Sequence, residues 1–455
     1  MRRARNRRAA GSVGIAVMVL MAVGACTVTR AGECLPSEAS GGGAAAAPVK
    51  GSTTPLQGVT DDEITISMLS VDLGLLADQG LAPDIGNPGK VAQAVVDDVN
   101  AKGGVAGRKL VLKSHVLDAN SALINPQLGQ ADCIAATEQD KPAAVVVSAA
   151  LPSSLVRCVS VTHPVLSMTM NQWDDTLYKD GEGRIFSCCS GTSIRMNRAY
   201  KAWPELMVDA GALKKGDRVG IISQQPGGVS TDNRDAIENA LLPSLKKAGA
   251  KVVGAAELPC PEGSQTCAQH QAAIQKLKDA KAEVVFLTAS NLAAATTVQA
   301  AKDLDFHPTW VTIGDNTTNT VANFFEPVKA EWDGAYGVAT SFTDASQDSA
   351  ACNRIAGKAG VKFPKGSDGY FFTALTCLQV QVLAKALGTI DGSLTQAKLI
   401  AALEKVDPVP TTAGPEGTFD PEKHDASNNV YLARYSAASG TWKPIGGAEK
   451  AIKVP

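Results

Sequence analysis

The 455-residue chain has almost no excess of either charge, with 43 Lys and Arg against 45 Asp and Glu. That balance excludes the basic footprint expected of a nucleic-acid-binding protein. Histidines number five, and His115, His163, His270, His307 and His424 are scattered among unrelated segments. GxSxG, HExxH, a Walker lysine loop and a GxGxxG following a strand are all missing, so the common hydrolase, zincin, NTPase and dinucleotide patterns do not apply. The ten cysteines form no CxxC or Cys/His metal spacing, which argues against zinc. A redox-active Cys188-Cys189 pair would need a neighbour that lowers a thiol pKa, and only Arg184 and Arg195 are near in sequence. These absences point away from enzymatic activity, and no cofactor or metal is expected. Past residue 25, no apolar run approaches the roughly 20 residues of a membrane span.

The charge is unevenly placed. Arg2, Arg3, Arg5, Arg7 and Arg8 lie in a first segment without acids, leaving 38 basic against 45 acidic residues in the rest. An apolar stretch from Val13 to Val23 follows, which is the layout of an export signal over residues 1–25. It ends in Val23-Gly24-Ala25-Cys26, similar to the bacterial lipobox, in which small residues precede the cysteine that becomes lipidated. Two arginine pairs leave both the general and the twin-arginine export routes open. From Ala39 to Pro55 the chain is rich in Gly, Ala, Ser and Pro, so residues 26–60 read as a flexible tether from a lipid on Cys26. The expected location is extracytoplasmic, anchored to a bacterial cell membrane.

The remaining cysteines suit an oxidising exterior. Cys133 and Cys158 flank an apolar run at 143–148, Cys352 and Cys377 lie in successive helical segments, and Cys260 and Cys267 close a short polar loop. They read as three disulfides. Cys34, Cys188 and Cys189 are left over; a bond between adjacent cysteines is constrained, so pairing of Cys34 with either one stays open.

From residue 61 onward, short apolar runs alternate with helix-period stretches. The runs are Ile64–Leu69, Lys109–Val116, Ala143–Ser148, Pro164–Met168, Arg218–Ser223, Lys251–Ala256, Glu283–Thr288 and Thr309–Ile313. Most are continuous rather than alternating, as expected for strands of a parallel sheet buried on both faces. Helices are expected over Lys90–Lys102, Ser193–Ala210, Asp232–Ala248, Gln269–Ala280, Leu292–Leu304, Gly369–Gly388 and Leu394–Lys405, with a late strand pair near 417–420 and 430–435. Two such series predict an α/β fold of two doubly wound lobes. In such sheets ligands sit beyond the carboxyl ends of the strands.

At Asn100-Ala101-Lys102-Gly103-Gly104-Val105-Ala106-Gly107-Arg108, a helix ends in a glycine turn and enters the second strand. This resembles the branched-chain amino-acid-binding family of type I periplasmic solute-binding proteins, which serve ABC importers. Further matches follow in order: Ala143–Ser148 with Ser153-Ser154, Pro164–Ser167, Ile313-Gly314-Asp315, Tyr370 before a long helix, and Gly414-Pro415-Glu416-Gly417-Thr418-Phe419-Asp420. The Cys133/Cys158 spacing also resembles a disulfide of the family. Coverage runs from about 61 to 445. Three departures stand out: Ser70-Val71-Asp72-Leu73-Gly74 in the first loop, Gln224-Gln225-Pro226-Gly227-Gly228 in place of a Tyr-Gly pair, and Ile185–Cys189 in place of a Phe-Arg pair.

The resemblance implies a type I periplasmic-binding-protein fold with three crossovers. One lobe would span 61–184 and 339–413, the other 185–338 and 414–455, closing on a ligand and docking on an ABC permease with its ATPase. Carried to matching positions, it implies amide and hydroxyl donors at Ala150, Ser153, Ser154, Thr169 and Asn171. Asp315 would face a ligand ammonium, with Asp72 in the first loop, Trp173 as an apolar wall, and Gln224, Ser290 and Asn291 from the second lobe. The cleft loops hold Asp72, Asp78, Asp84, Asp174, Asp175 and Asp315 and no Arg, which predicts a small polar ligand, neutral overall or cationic. The expected molecule is a monomeric solute receptor; a sensing or cell-surface binding module of the same fold is the competing reading.

Overall fold

The computed structural model describes residues 51–78, 84–118, 126–148, 151–190, 193–224, 233–259, 267–313, 327–339, 346–413, 415–446 and 452–453. Cys26, Cys34, Ala150, Cys260 and Asp315 lie outside them.

The chain builds two sheets. The first contains β1 (Glu63–Asp72), β2 (Lys109–Asp118), β3 (Val145–Val147), β4 (Ser167–Thr169) and β5 (Ile185–Ser187), all parallel in the order β2-β1-β3-β4-β5. Burial on both faces explains its composition. On β3, Val146 packs into one core with Ile64, Ile66 and Met68, while Val145 and Val147 join the opposite core with Leu69 and Val71. At roughly 1.5–3 kcal/mol per buried aliphatic side chain, a polar residue at any of these positions would be costly.

The second sheet holds β6 (Arg218–Gln224), β7 (Lys251–Leu258), β8 (Val284–Thr288), β9 (Thr309–Ile313), β10 (Tyr336–Ala339), β11 (Asn429–Ser436) and β12 (Thr441–Pro444), in the order β12-β11-β10-β9-β8-β6-β7; a short β13 (Ile452–Lys453) pairs with β11. β6 to β10 are parallel, and β11 and β12 are antiparallel additions. β7 departs from the expected two-sided burial because it is the edge strand: Val252 is exposed, and Lys276 Nζ donates to Ala255 O at 2.6 Å, occupying a backbone acceptor there.

The glycine turn before β2 has a clear steric cause. Gly104 has φ +75°, and a Cβ there would lie 2.0 Å from Arg108 O. Asn100 secures the turn, its Nδ2 donating to Leu110 O at 2.9 Å and its Oδ1 accepting from Leu110 N at 2.8 Å.

The helix Asp368–Gly388 corrects one reading. It has the length and hydropathy of a membrane span, 21 residues at mean hydropathy 1.4, yet it is mostly buried against the first sheet, where Ala374, Leu378 and Val382 join the core of Ile64 and Met68. Its N-cap is Ser367, whose side chain accepts from Tyr370 N.

The body also begins earlier than the composition suggests, within residues read as tether. Leu56 N–H donates to Leu394 O at 2.8 Å, Ala397 N–H to Ser52 O at 3.1 Å, and Thr65 N–H to Gly58 O at 2.8 Å, so residues 51–60 are docked on the body.

The chain passes between the sheets three times: after β5, between β10 and the helix Gln347–Lys358, and before β11. β5 hydrogen-bonds within the first sheet three residues past the expected change of lobe. Residues 415–428 do not form the expected strand at 417–420, only isolated bridges, and Phe419 and Ala426 pack into the first sheet's core. His424 stacks on Phe186 with ring centroids 4.0 Å apart, its Nε2 3.0 Å from Glu404 Oε1.

The three passages are tied by backbone hydrogen bonds: Thr412 N–H to Cys189 O at 2.8 Å, Ser346 N–H to Thr412 O at 3.0 Å, and Ser427 N–H to Ser193 O at 2.8 Å. Fully buried Asp425 accepts from Arg195 N at 2.8 Å and pairs with the Arg198 guanidinium.

Disulfides join Cys133 to Cys158 and Cys352 to Cys377. Cys188 and Cys189 are bonded to each other, which resolves the open pairing without Cys34. Cys267 is disulfide-bonded; its expected partner, Cys260, is outside the described residues.

Candidate functional site

β3, β4 and β6 end on the same side of their sheets, and the segments following them face one another across a cleft of about 250 Å³. Ser153 and Arg157 come from the helix after β3, Trp173, Asp174, Thr176 and Leu177 from the turn and helix after β4, and Arg234, Asp235 and Glu238 from the helix after β6. This is the position at which doubly wound sheets place ligands.

Local hydrogen bonds fix the first side. Trp173 Nε1 donates to Thr169 Oγ1 at 2.8 Å, and Asn171 N donates to the same oxygen at 3.3 Å. Asn171 Nδ2 reaches Leu151 O at 3.3 Å, tying the segment after β4 to that after β3. Trp173 is only 1% exposed, so its indole forms the floor behind the cleft rather than a free aromatic wall. Asp174 caps the helix Asp175–Asp180, accepting from Leu177 N at 2.8 Å. Arg157 pairs with Asp180 at 2.6 Å.

On the other side, Arg234 pairs with Glu257 at 3.0 Å, and Asp235 accepts from Asn197 Nδ2 at 2.7 Å and Asn239 Nδ2 at 2.6 Å. Gln224 Oε1 accepts from Ser290 N at 2.8 Å, which holds the end of β6 against the start of the helix Asn291–Asp303. Asn197 Oδ1 crosses between the sides and accepts from Asp175 N at 3.0 Å. Burial raises the Asp175 pKa above the ordinary carboxylate value, the nearby Arg195 opposes the shift, and Asp235 and Asp425 add to it.

The sequence candidates therefore separate. Ser153 and Trp173 line the cleft; Thr169 and Asn171 stand behind Trp173 as supports. Gln224 and Ser290 are bonded to each other, Asn291 opens its helix, and Ser154 is exposed beside Ser153. Asp72 ends β1, where its carboxylate accepts from Gly74 N at 2.8 Å. Sequence reasoning missed Arg157, Thr176, Leu177, Arg234, Asp235 and Glu238. The expectation of a cleft without arginine is corrected: Arg157 and Arg234 stand on its two sides together with Asp174, Asp235 and Glu238. The missed signal is helical spacing, since Arg157 lies four residues after Ser153 and so shares its face.

No curated protein sequence matches this chain. Solved structures are similar in fold. A fatty acid ABC transporter substrate-binding protein from Thermomonospora curvata superposes with a TM-score of 0.60 at 18% identity, over 88% of this chain and 97% of that one. A branched-chain amino acid ABC transporter protein from Thermus thermophilus, with bound valine, gives 0.60 at 14% identity over 87% and 97%. The branched-chain amino acid transporter substrate-binding protein LivJ from Streptococcus pneumoniae, in complex with isoleucine, gives 0.58 at 17% over 86% and 100%. The periplasmic binding protein family model matches residues 70–441, most of the chain and both sheets, and the chain belongs to that family.

Proposed function

We propose that this protein is an extracytoplasmic receptor that captures a small dipolar solute between two lobes and delivers it to an ABC permease and its ATPase. The first lobe is built on β1–β5 and the helices between 347 and 403, and the second on β6–β13. The observation that carries the reading is the cleft, with arginine and carboxylate on both of its sides. A ligand carboxylate meets Arg157 or Arg234, and a ligand ammonium meets Asp174, Asp235 or Glu238, so that neither charge is buried unpaired. Ser153 adds a hydroxyl at the same rim. Ser154, Ala150, Asp72, Asn291 and Asp315 remain proposed ligand contacts, with Thr169, Asn171, Gln224 and Ser290 as the framework that positions them.

The valine and isoleucine held by two similar structures support an amino acid, whereas the fatty acid protein supports a purely anionic ligand. The mixed charge of the cleft favours the former. Anchoring through a lipid on Cys26 is part of the proposal. Calorimetry on the soluble body with L-valine, L-isoleucine, isovalerate and isoamylamine tests the ligand class. An amino acid should bind at least about tenfold tighter than analogues lacking either charge, which corresponds to roughly 1.4 kcal/mol. Equal or tighter binding of isovalerate would overturn the dipolar reading.

A further inference from the structure

We propose that the Cys188–Cys189 disulfide is a redox-sensitive site that sets the stiffness of the hinge between the lobes, an inference that rests on the two-lobe reading. The pair stands where the chain leaves the first sheet, immediately after β5. Cys188 N–H donates to Thr169 O at 3.0 Å, at the end of β4 and beside the residues that support Trp173. Cys189 O accepts from Thr412 N, and Thr412 O accepts from both Ser346 N and, at 2.6 Å, Ser349 Oγ. Two carbonyls in series, Cys189 O and Thr412 O, thus tie all three passages between the sheets.

Cys189 holds φ +76°, in the left-handed region that non-glycine residues rarely adopt. The disulfide closes a small ring around the Cys188–Cys189 peptide and restricts its rotation. Opening that ring frees Cys189 to return to negative φ, which turns its carbonyl away from Thr412. Reduction by a dithiol is balanced as follows. One reductant thiolate attacks a sulfur and forms a mixed disulfide, and the second displaces the remaining protein thiolate. Cys188 and Cys189 end as two thiols, and the reductant ends as its own disulfide.

Both sulfurs are fully buried, with Cys188 Sγ 3.5 Å from Met168 Sδ and Phe186 in the same core. A reductant therefore reaches them only when the passages part. By linkage, reduction stabilises the parted conformation as much as that conformation promotes reduction.

The test is hydrogen–deuterium exchange on the full chain, without ligand, in oxidised and dithiothreitol-treated states, with the 188–189 bond followed by mass. The Cys188→Ser/Cys189→Ser variant is compared in parallel, and Cys352→Ser/Cys377→Ser controls for loss of another disulfide. The Thr412 and Ser346 amides should exchange about tenfold faster on reduction and in the first variant, while β1 and β8 keep their protection. Dithiothreitol should add nothing at these amides in that variant. Confirmed reduction with unchanged exchange would overturn the proposal, as would acceleration spread through β1 and β8, equal acceleration in the control, or a Cys34 bond to either cysteine. Because no solute is present, failure of amino-acid binding and failure of this inference are read separately.

Discussion

The side chain of Asn197 accepts the backbone N–H of Asp175 at 3.0 Å, so a helix that follows the first passage holds the start of a helix that follows β4. The same amide donates to Asp235 at 2.7 Å. Asn197→Leu removes both bonds at a buried position and leaves their partners unsatisfied. A loss of about 1–3 kcal/mol is expected in urea unfolding, and a loss below about 0.5 kcal/mol would show that water replaces the amide at no cost.

Asp425 is the buried anion of the hinge, with Arg198 and Arg195 beside it. Asp425→Asn should cost about 1–3 kcal/mol, because it removes the fully buried carboxylate that pairs with two partly buried guanidinium groups. Thermal unfolding at neutral pH measures this. A double variant with Arg198→Met should recover part of the loss, and an equal loss in both would refute an ionic origin.

Gly104→Ala should destabilise the first sheet by more than about 1 kcal/mol, since left-handed φ and the approach of Arg108 O both oppose a Cβ. Gly103, at φ +104° with open space where its Cβ would stand, should lose less when changed to alanine. Reversal of that order in chemical denaturation would contradict the steric account.

His270 supplies a pH dependence. Burial lowers its pKa below 6.5, opposed by the Cys267 carbonyl, and its Nδ1 lies 2.9 Å from Thr297 Oγ1. Below 6.5 the unfolded chain binds the proton first, so stability falls as pH drops from 6.5 through the depressed folded value and is fully retained above it. His270→Gln should flatten that part of the stability profile, and an unchanged slope would exclude His270 as its source.

Cys26→Ser should move the protein from the membrane to the soluble fraction, with loss of its lipid mass. Undiminished membrane association of the variant would end the lipoprotein reading.

The two sheets were legible because long Val/Ile runs such as Ile64–Leu69 and Glu283–Thr288 can be buried on both faces. β5 and β10 were not, because three or four residues carry too little periodicity and their pairing is supplied by neighbouring strands. The cleft was half legible. Loops beyond strand ends were found, yet the arginines stand one helical turn further on, where chain position is distant from the strand but the side chain returns to the same rim. The three crossings of the hinge followed from the family resemblance, but the bonds that tie them were opaque, since those joining Cys189, Ser346 and Thr412 connect residues more than sixty positions apart.

The burial of Asp368–Gly388 in the core beside the first sheet also dictates an order of events. The helix Pro88–Ala101 covers part of the face formed by Ile64, Ile66, Met68 and Val146, but the share from Ala374, Leu378 and Val382 is missing until residue 388 has been made, and the second sheet lacks β11 until residue 436. Neither half can therefore complete its core on a partly synthesised chain, and both finish only when nearly all of it is available. Such contacts between distant residues slow folding and leave apolar strands exposed for longer. If the proposed export takes the general route, which threads an unfolded chain, that delay works in its favour: it keeps the polypeptide threadable until export is finished.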